Sequence, residues 1–191
     1  MYIIKEIKNS EIWYHGSNRK IISWSTSYTG KGTDQEGAGI YFTTNREDAQ
    51  IYGKYIQKVK LDFKKQMSLK AKPIKREIEQ LIKKAPNYKD TLMDFAEDEK
   101  EAFIEAVNNY LEYNDTHWEA VKFIEADFYR REGDKYCKAM TSLGYDGVII
   151  DINYNNILHA VVWNPKIIKG IQMSDISVEK YETFRKRMDL L

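Results

Sequence analysis

The feature that most constrains how this chain folds is a change of hydrophobic period along it. Short apolar runs at residues 2–7, 12–15, 40–43 and 59–63 lie near the start, and others at 148–151, 158–163 and 167–171 lie near the end. Their lengths and alternation suit half-buried strands, most plainly in the Val59, Lys60, Leu61, Asp62, Phe63 series. Between the two groups the period becomes helical: Ile74, Ile78, Leu81 and Ile82 share one helix face, and Phe95, Phe103, Val107 and Leu111 continue the habit. Further helices are expected over 118–131 and 135–143, the last stopped at Gly144. The expectation is an α+β fold in one domain, 1–191, with a helical insertion at about 72–143 packed on the sheet.

Composition narrows the class. A chain of 191 residues with 42% hydrophobic and 31% charged residues can bury a core, so disorder is not expected. The apolar runs are too short and too often interrupted by charge to span a membrane, and residues 1–10 lack the apolar centre of a signal peptide. Cys137 is the single cysteine, which excludes an internal disulfide and fits a reducing, cytoplasmic setting with a buried thiol. Charge is uneven: residues 1–72 hold 13 Lys/Arg against 7 Asp/Glu, whereas 73–132 hold 9 against 15. An anionic ligand therefore belongs with the first segment, although such a run is also what a solvated lysine-rich face looks like.

Three segments carry candidate chemistry. In Trp13-Tyr14-His15-Gly16-Ser17 an imidazole ends an apolar strand and a glycine follows, so a ligand can approach the backbone. In Gly37-Ala38-Gly39-Ile40-Tyr41-Phe42-Thr43 a glycine-rich loop feeds an aromatic strand. A helix starting near Asn45 then runs through Asp48, Ala49 and Gln50 to present Tyr52. Two tyrosines on consecutive elements can hold a flat heteroaromatic ring between them. The third segment runs from Asn156 through Ile157, Leu158 and His159 to Trp163-Asn164-Pro165, a buried-looking strand with a polar start. A zinc site from His15, His117 and His159 lacks the close ligand spacing of zinc motifs, and the glycines at 30, 32, 37 and 39 form neither standard phosphate loop. No Ser-His-Asp or Cys-His arrangement is indicated.

In combination and order these segments resemble the ADP-ribosyltransferase superfamily, in its diphtheria-toxin-like and poly(ADP-ribose)-polymerase-like branch with the His-Tyr-Glu pattern. There a Tyr/Trp-His-Gly strand end precedes Gly-x-Gly-Ile-Tyr-Phe or a close relative, and a second tyrosine follows eleven positions after the first, as Tyr52 follows Tyr41. Leu143-Gly144-Tyr145-Asp146-Gly147-Val148-Ile149 and Val161-Val162-Trp163-Asn164-Pro165 are similar to the closing strands of phage and bacterial stand-alone members. The resemblance covers residues 12–63 and 143–170 and leaves the helical centre unexplained.

The resemblance implies split, mainly antiparallel sheets around an NAD cleft. It makes NAD the substrate, with no metal, and a protein or nucleic acid the acceptor of ADP-ribose. A toxin or phage effector role follows, with a neutralising antitoxin as an implied partner and no membrane. His15, Tyr41 and His159 take the catalytic positions. His15, Gly16, Ser17, Arg19, Tyr41, Phe42, Ala49 and Tyr52 take the NAD-binding ones, and Lys20 joins Arg19 near the pyrophosphate. His15 anchors the ribose, the Gly16 backbone pairs with the nicotinamide carboxamide, and Tyr41 and Tyr52 stack on the ring, so that all line one pocket. The sequence departs from the pattern at His159, which stands where the branch has its catalytic glutamate. A neutral imidazole accepts a hydrogen bond but brings no negative charge to an oxocarbenium-like ribose. Three outcomes stay open: mono-ADP-ribosyl transfer, NAD glycohydrolysis, and a catalytically silent NAD- or ADP-ribose-binding module. A slipped strand bringing Asp151 into the cleft would reverse every side chain of that strand.

Overall fold

The computed structural model describes residues 12–29, 36–151 and 157–175. The expected strand at 2–7 and the glycines at 30 and 32 lie outside them, as does Asn156. The chain forms β1 (Trp13–Ser17), β2 (Ile40–Thr43), α1 (Arg46–Gln50), β3 (Tyr55–Leu61) and β4 (Gln66–Met67). The helices α2 (Lys75–Lys84), α3 (Tyr88–Leu92), α4 (Glu99–Glu112), α5 (His117–Ile124) and α6 (Gly133–Ser142) follow. Last come β5 (Gly147–Asp151), β6 (Leu158–Val162) and β7 (Ile168–Asp175). The class is α+β.

The strands form one sheet in the order β4-β5-β6-β2-β1-β3-β7. Every neighbouring pair is antiparallel except β4 with β5. A parallel pair needs a long return connection. Here that connection holds α2 to α6, so the helical centre is the crossover between β4 and β5. The two-residue β4 carries no periodic signal, and the sequence did not reveal it. Strand β3 also begins four residues earlier than the alternation at 59–63 indicates, because Tyr55, Ile56 and Gln57 pair with β1 and β7 whatever their polarity.

Local chemistry sets the helix limits. Asn45 accepts hydrogen bonds from the Glu47 and Asp48 N–H groups and starts α1. Asp98 caps α4 through the Glu101 N–H, and Thr116 with Glu119 forms a reciprocal capping box on α5. The single helix expected over 118–131 loosens into a π-helical turn at Glu125–Tyr129, which ends with Arg130 and Arg131 at φ of 34° and 69°. At the end of α6, Gly144 takes φ 89°, a conformation that costs glycine little.

Among the described residues, alternation on the strands places buried apolar clusters on both faces of the sheet. On one face Trp13, Ile40, Phe42, Val59, Leu61, Ile149, Ala160 and Val162 meet one another, so the sheet curls with this face inward. On the other, Val148, Val161 and Tyr41 pack against the helices around Ile78, Leu81, Val121, Ile124, Phe128, Tyr136 and Trp163. Cys137 is buried in that second core, its Sγ 3.8 Å from the Ala38 carbonyl oxygen.

Candidate functional site

Strand β1 pairs with β3 over five positions but with β2 through the single pair Tyr14 and Thr43. The sheet is therefore joined at its middle by one residue pair, and the next inter-strand link is made by a side chain. His15 Nδ1 donates to the Tyr41 carbonyl oxygen at 2.7 Å. A carbonyl can only accept, so Nδ1 carries the proton and Nε2 of the neutral ring keeps a lone pair. Burial lowers the His15 pKa below the usual histidine value, and the Tyr41 bond only partly offsets this.

The register separates the candidate residues by face. Tyr14 pairs with Thr43, and strand alternation turns His15 to the face of Phe42 and Gly16 to the face of Tyr41. His15 accordingly touches the Phe42 and Trp24 rings inside the curl, at centroid distances of 5.5 and 5.3 Å. Tyr41 lies on the helical face with its hydroxyl donating to the Gly37 carbonyl and accepting from the Glu36 N–H. The imidazole and the first phenol thus do not share a surface, because adjacent strand positions point oppositely. Phe42 is a core residue at 2% exposure.

Gly16 is explained first by packing. A Cβ there would sit 1.7 Å from the Ala49 carbonyl oxygen and 3.3 Å from the Tyr52 Cβ. Helix α1 therefore seats its Ala49 carbonyl on Gly16, in the space that the sequence had left to a ligand. Gly39 likewise makes room for Val161, whose Cγ1 would lie 2.3 Å from a Cβ. The Ala38 carbonyl of that glycine-rich loop accepts the Trp163 indole N–H at 3.0 Å. Its glycines serve close packing against β6 and the helices.

On the Tyr41 face a different group assembles beside Gly16. His159 pairs with Thr43 across β6 and β2, and its Nε2 lies 2.7 Å from Asp48 Oδ2 on α1. Both side chains are mostly buried, at 18% and 17% exposure. Burial raises the Asp48 pKa, but hydrogen bonds from His159 and Thr43, with the electrostatic pull of the neighbouring ring, win and hold it below the usual carboxylate range. Tyr52, four residues after Asp48, is 58% exposed, and its phenol pKa is raised by partial burial and then by the Asp48 charge. Gly16, Thr43, Asp48, Tyr52 and His159 form the most complete constellation of polar and aromatic groups around the candidate positions. In the sequence Asp48 stands only as part of the helix leading to Tyr52; its i to i+4 spacing to that tyrosine is the one local signal.

The remaining candidates are peripheral. Ser17 exchanges hydrogen bonds with the Arg19 backbone in a tight turn. Arg19 is exposed, and Lys20 lies 5.8 Å from the centre of the Tyr55 ring. Asp151 pairs with Leu158 and so points away from the His159 face. His117 sits among the helices, accepting from the Ile74 N–H at Nδ1 and bonding Glu77 through Nε2. The three histidines occupy three separate environments. Among the described residues no group of three acidic, histidine or cysteine side chains could hold a metal. No helix of the described residues is long and apolar enough to cross a membrane.

Asp146 explains the Gly144-Tyr145-Asp146-Gly147 segment structurally. Its carboxylate accepts from the Lys64 and Lys65 N–H groups and from the Asn164 amide, tying the approach to β4 and the end of β6 to the start of β5.

Comparison with known proteins adds little. No family model matches the chain, and no curated protein does. A solved structure described as an anti-CRISPR protein covers 85% of this chain and 94% of its own, at 14% identity and a TM-score of 0.31.

Proposed function

We propose that the chain binds NAD and transfers its ADP-ribose to a hydroxyl or other neutral nucleophile on a host protein or nucleic acid, as a mono-ADP-ribosyltransferase of the His-Tyr-Glu branch. The reading is carried by the Asp48–His159 pair, which supplies a carboxylate beside the position where that branch has its glutamate. The single-pair junction of β1 and β2 supports it as the counterpart of a split sheet around a dinucleotide cleft.

Strand alternation adds a second support. The Thr44 N–H bonds to the Leu158 carbonyl on β6, so Thr43 and Tyr41 turn their backbone groups toward β1. Tyr14 answers Thr43, and by the same alternation Gly16 turns its N–H and C=O toward the β2 side. A carboxamide needs one donor and one acceptor, which this one residue offers.

In this reading Tyr52 stacks on the nicotinamide, a cationic leaving group that departs with the electron pair of its glycosidic bond. The Asp48 charge stabilises the oxocarbenium-like ribose. His159, with one ring nitrogen held at Asp48, offers the other to take the proton from the acceptor as its oxygen bonds to the ribose C1′. The test is nicotinamide release and label transfer from NAD carrying a labelled adenosine, with cell lysate as acceptor source and protease or nuclease used to classify the product. Free ADP-ribose alone identifies a glycohydrolase. NAD binding without nicotinamide release identifies a silent module, and no binding defeats the proposal.

A further inference from the structure

Strand β3 turns Lys58 and Lys60 outward, because Val59 and Leu61 between and after them belong to the core inside the curl. The register of β7 adds a third lysine. Between the pairs Lys58–Gln172 and Lys60–Lys169, β3 advances by two residues and β7 by three. The extra residue makes a β-bulge in which Gly170 takes φ 71°, with open space where a Cβ would stand. Without the bulge Gly170 would face Lys60; with it, Lys169 does.

Like charges set directly opposite one another on a sheet repel. Among the described residues none of the three lysines forms an ion pair, and Asp62, next on that side of β3, pairs with none of them. Lys169 Nζ donates instead to the Lys166 carbonyl at 2.7 Å. Lysine on an end strand discourages pairing with another chain. That does not account for Lys58 and Lys60, since β3 lies between β1 and β7.

The lysines are continuous with the candidate site. Lys58 pairs with Tyr14, Tyr14 with Thr43, and Thr43 with His159. Directly paired residues share a face, so the four form one row across the sheet, three strand spacings or about 15 Å long. Tyr14 is half-buried, packed against Ala49 and Ile56.

We infer that Lys58, Lys60 and Lys169, with Tyr14, form a docking surface for a single-stranded nucleic acid, held by its phosphates and running toward His159. Phosphates relieve the repulsion between facing ammonium groups, and an aromatic ring beside a basic track is the combination that receives an unstacked base. A duplex keeps its bases stacked inside and offers Tyr14 none. Lysine answers charge rather than the sugar, so DNA and RNA strands are equivalent here. The inference goes beyond ADP-ribosyl transfer, since it requires binding and no turnover.

The test is fluorescence anisotropy of a labelled oligothymidylate of about 20 nucleotides with the full chain in rising salt. Log Kd is expected to rise with log salt at a slope of about 2, from three phosphates at about 0.7 each. Replacing Lys58, Lys60 and Lys169 together by Gln is expected to weaken binding at least tenfold and flatten the slope, whereas replacing them by Arg keeps affinity within about twofold. Replacing the exposed Lys75, Lys89 and Lys100 of the helical centre by Gln removes the same charge and is expected to leave binding unchanged. Tyr14→Leu is expected to weaken it about fivefold or more. Should the glutamine triple fail to fold, Lys60→Gln alone is expected to lower the slope by about 0.7. No binding, an affinity indifferent to salt, or an equal loss in the control triple overturns the inference. So does full affinity in Tyr14→Leu, equal binding of a duplex, or equal competition by polyglutamate, which offers negative charge without bases. The assay contains no NAD, and nicotinamide release is scored separately, so failure here and failure of the transfer reading are told apart.

Discussion

Asp48 on helix α1 and His159 on β6 lie 111 positions apart in the chain and meet at 2.7 Å. The contact brings a carboxylate held below its usual pKa to a strand position where the sequence shows only an imidazole. It also makes α1 part of the site rather than a link to Tyr52. Two consequences separate its structural from its chemical role.

Asp48→Asn and His159→Gln are each expected to lower the rate of nicotinamide release by about 10²–10⁴, the range of a positioned acid–base group. NAD affinity is expected to change far less. The structural share is read by a double-mutant cycle in urea, expected to give a coupling of about 1–3 kcal/mol for a charge-assisted hydrogen bond. Because the folded Asp48 pKa lies below its unfolded value, this contribution is fully present above about pH 4 and is lost as pH falls through the folded pKa. Full turnover in both variants would leave the pair as a structural tie alone.

Gly16→Ala tests whether glycine there serves packing. With the Ala49 carbonyl oxygen 1.7 Å from the new Cβ, a backbone must move, and a loss of about 3 kcal/mol is expected in chemical denaturation. Unchanged stability would mean that α1 does not rest on β1.

His117 predicts acid sensitivity of the helical centre. It is 0% exposed, and as a neutral ring it accepts from Ile74 while bonding Glu77. Burial lowers its pKa and the Lys65 charge adds to this, while Glu77 opposes them and loses. A histidine whose folded pKa lies below its unfolded one stabilises fully above the unfolded value, about 6.5. That stability is lost as pH drops from there toward the folded value. His15 is shifted in the same direction. Unfolding free energy should fall between pH 7 and pH 5, and His117→Gln should flatten part of the slope. A flat wild-type profile over that interval rules the argument out.

What the sequence made legible and what it hid follow from the range of the interactions. The buried stripe of Ile78, Leu81 and Ile82, the Asn45 cap and the Gly144 stop are local, and each is written in neighbouring residues. The two-residue β4 is not, because two residues carry no period and its partner β5 lies some eighty positions on. The separation of His15 from Tyr41 also escaped a motif-level reading. It needs the register of β1 against β2, which one residue pair sets. Asp48 was hidden for the same reason: an acid on a short helix looks ordinary until the fold places His159 beside it.

The two tyrosines make the last distinction. The Tyr41 hydroxyl donates to the Gly37 carbonyl and accepts from the Glu36 N–H, and its ring packs on the helical core, so it holds the glycine-rich loop whatever else it does. Tyr41→Phe is expected to cost about 1 kcal/mol of stability through the lost hydrogen bonds. Tyr52 is 58% exposed at the end of α1 and has little folding role to lose. Tyr52→Ala should leave the melting temperature within a degree or so of wild type, yet weaken NAD binding by about 1–3 kcal/mol if its ring covers the nicotinamide. Calorimetry on both variants separates the roles. Equal NAD affinity in Tyr52→Ala and wild type would remove the stacking surface, and with it the reason to place the nicotinamide against Gly16.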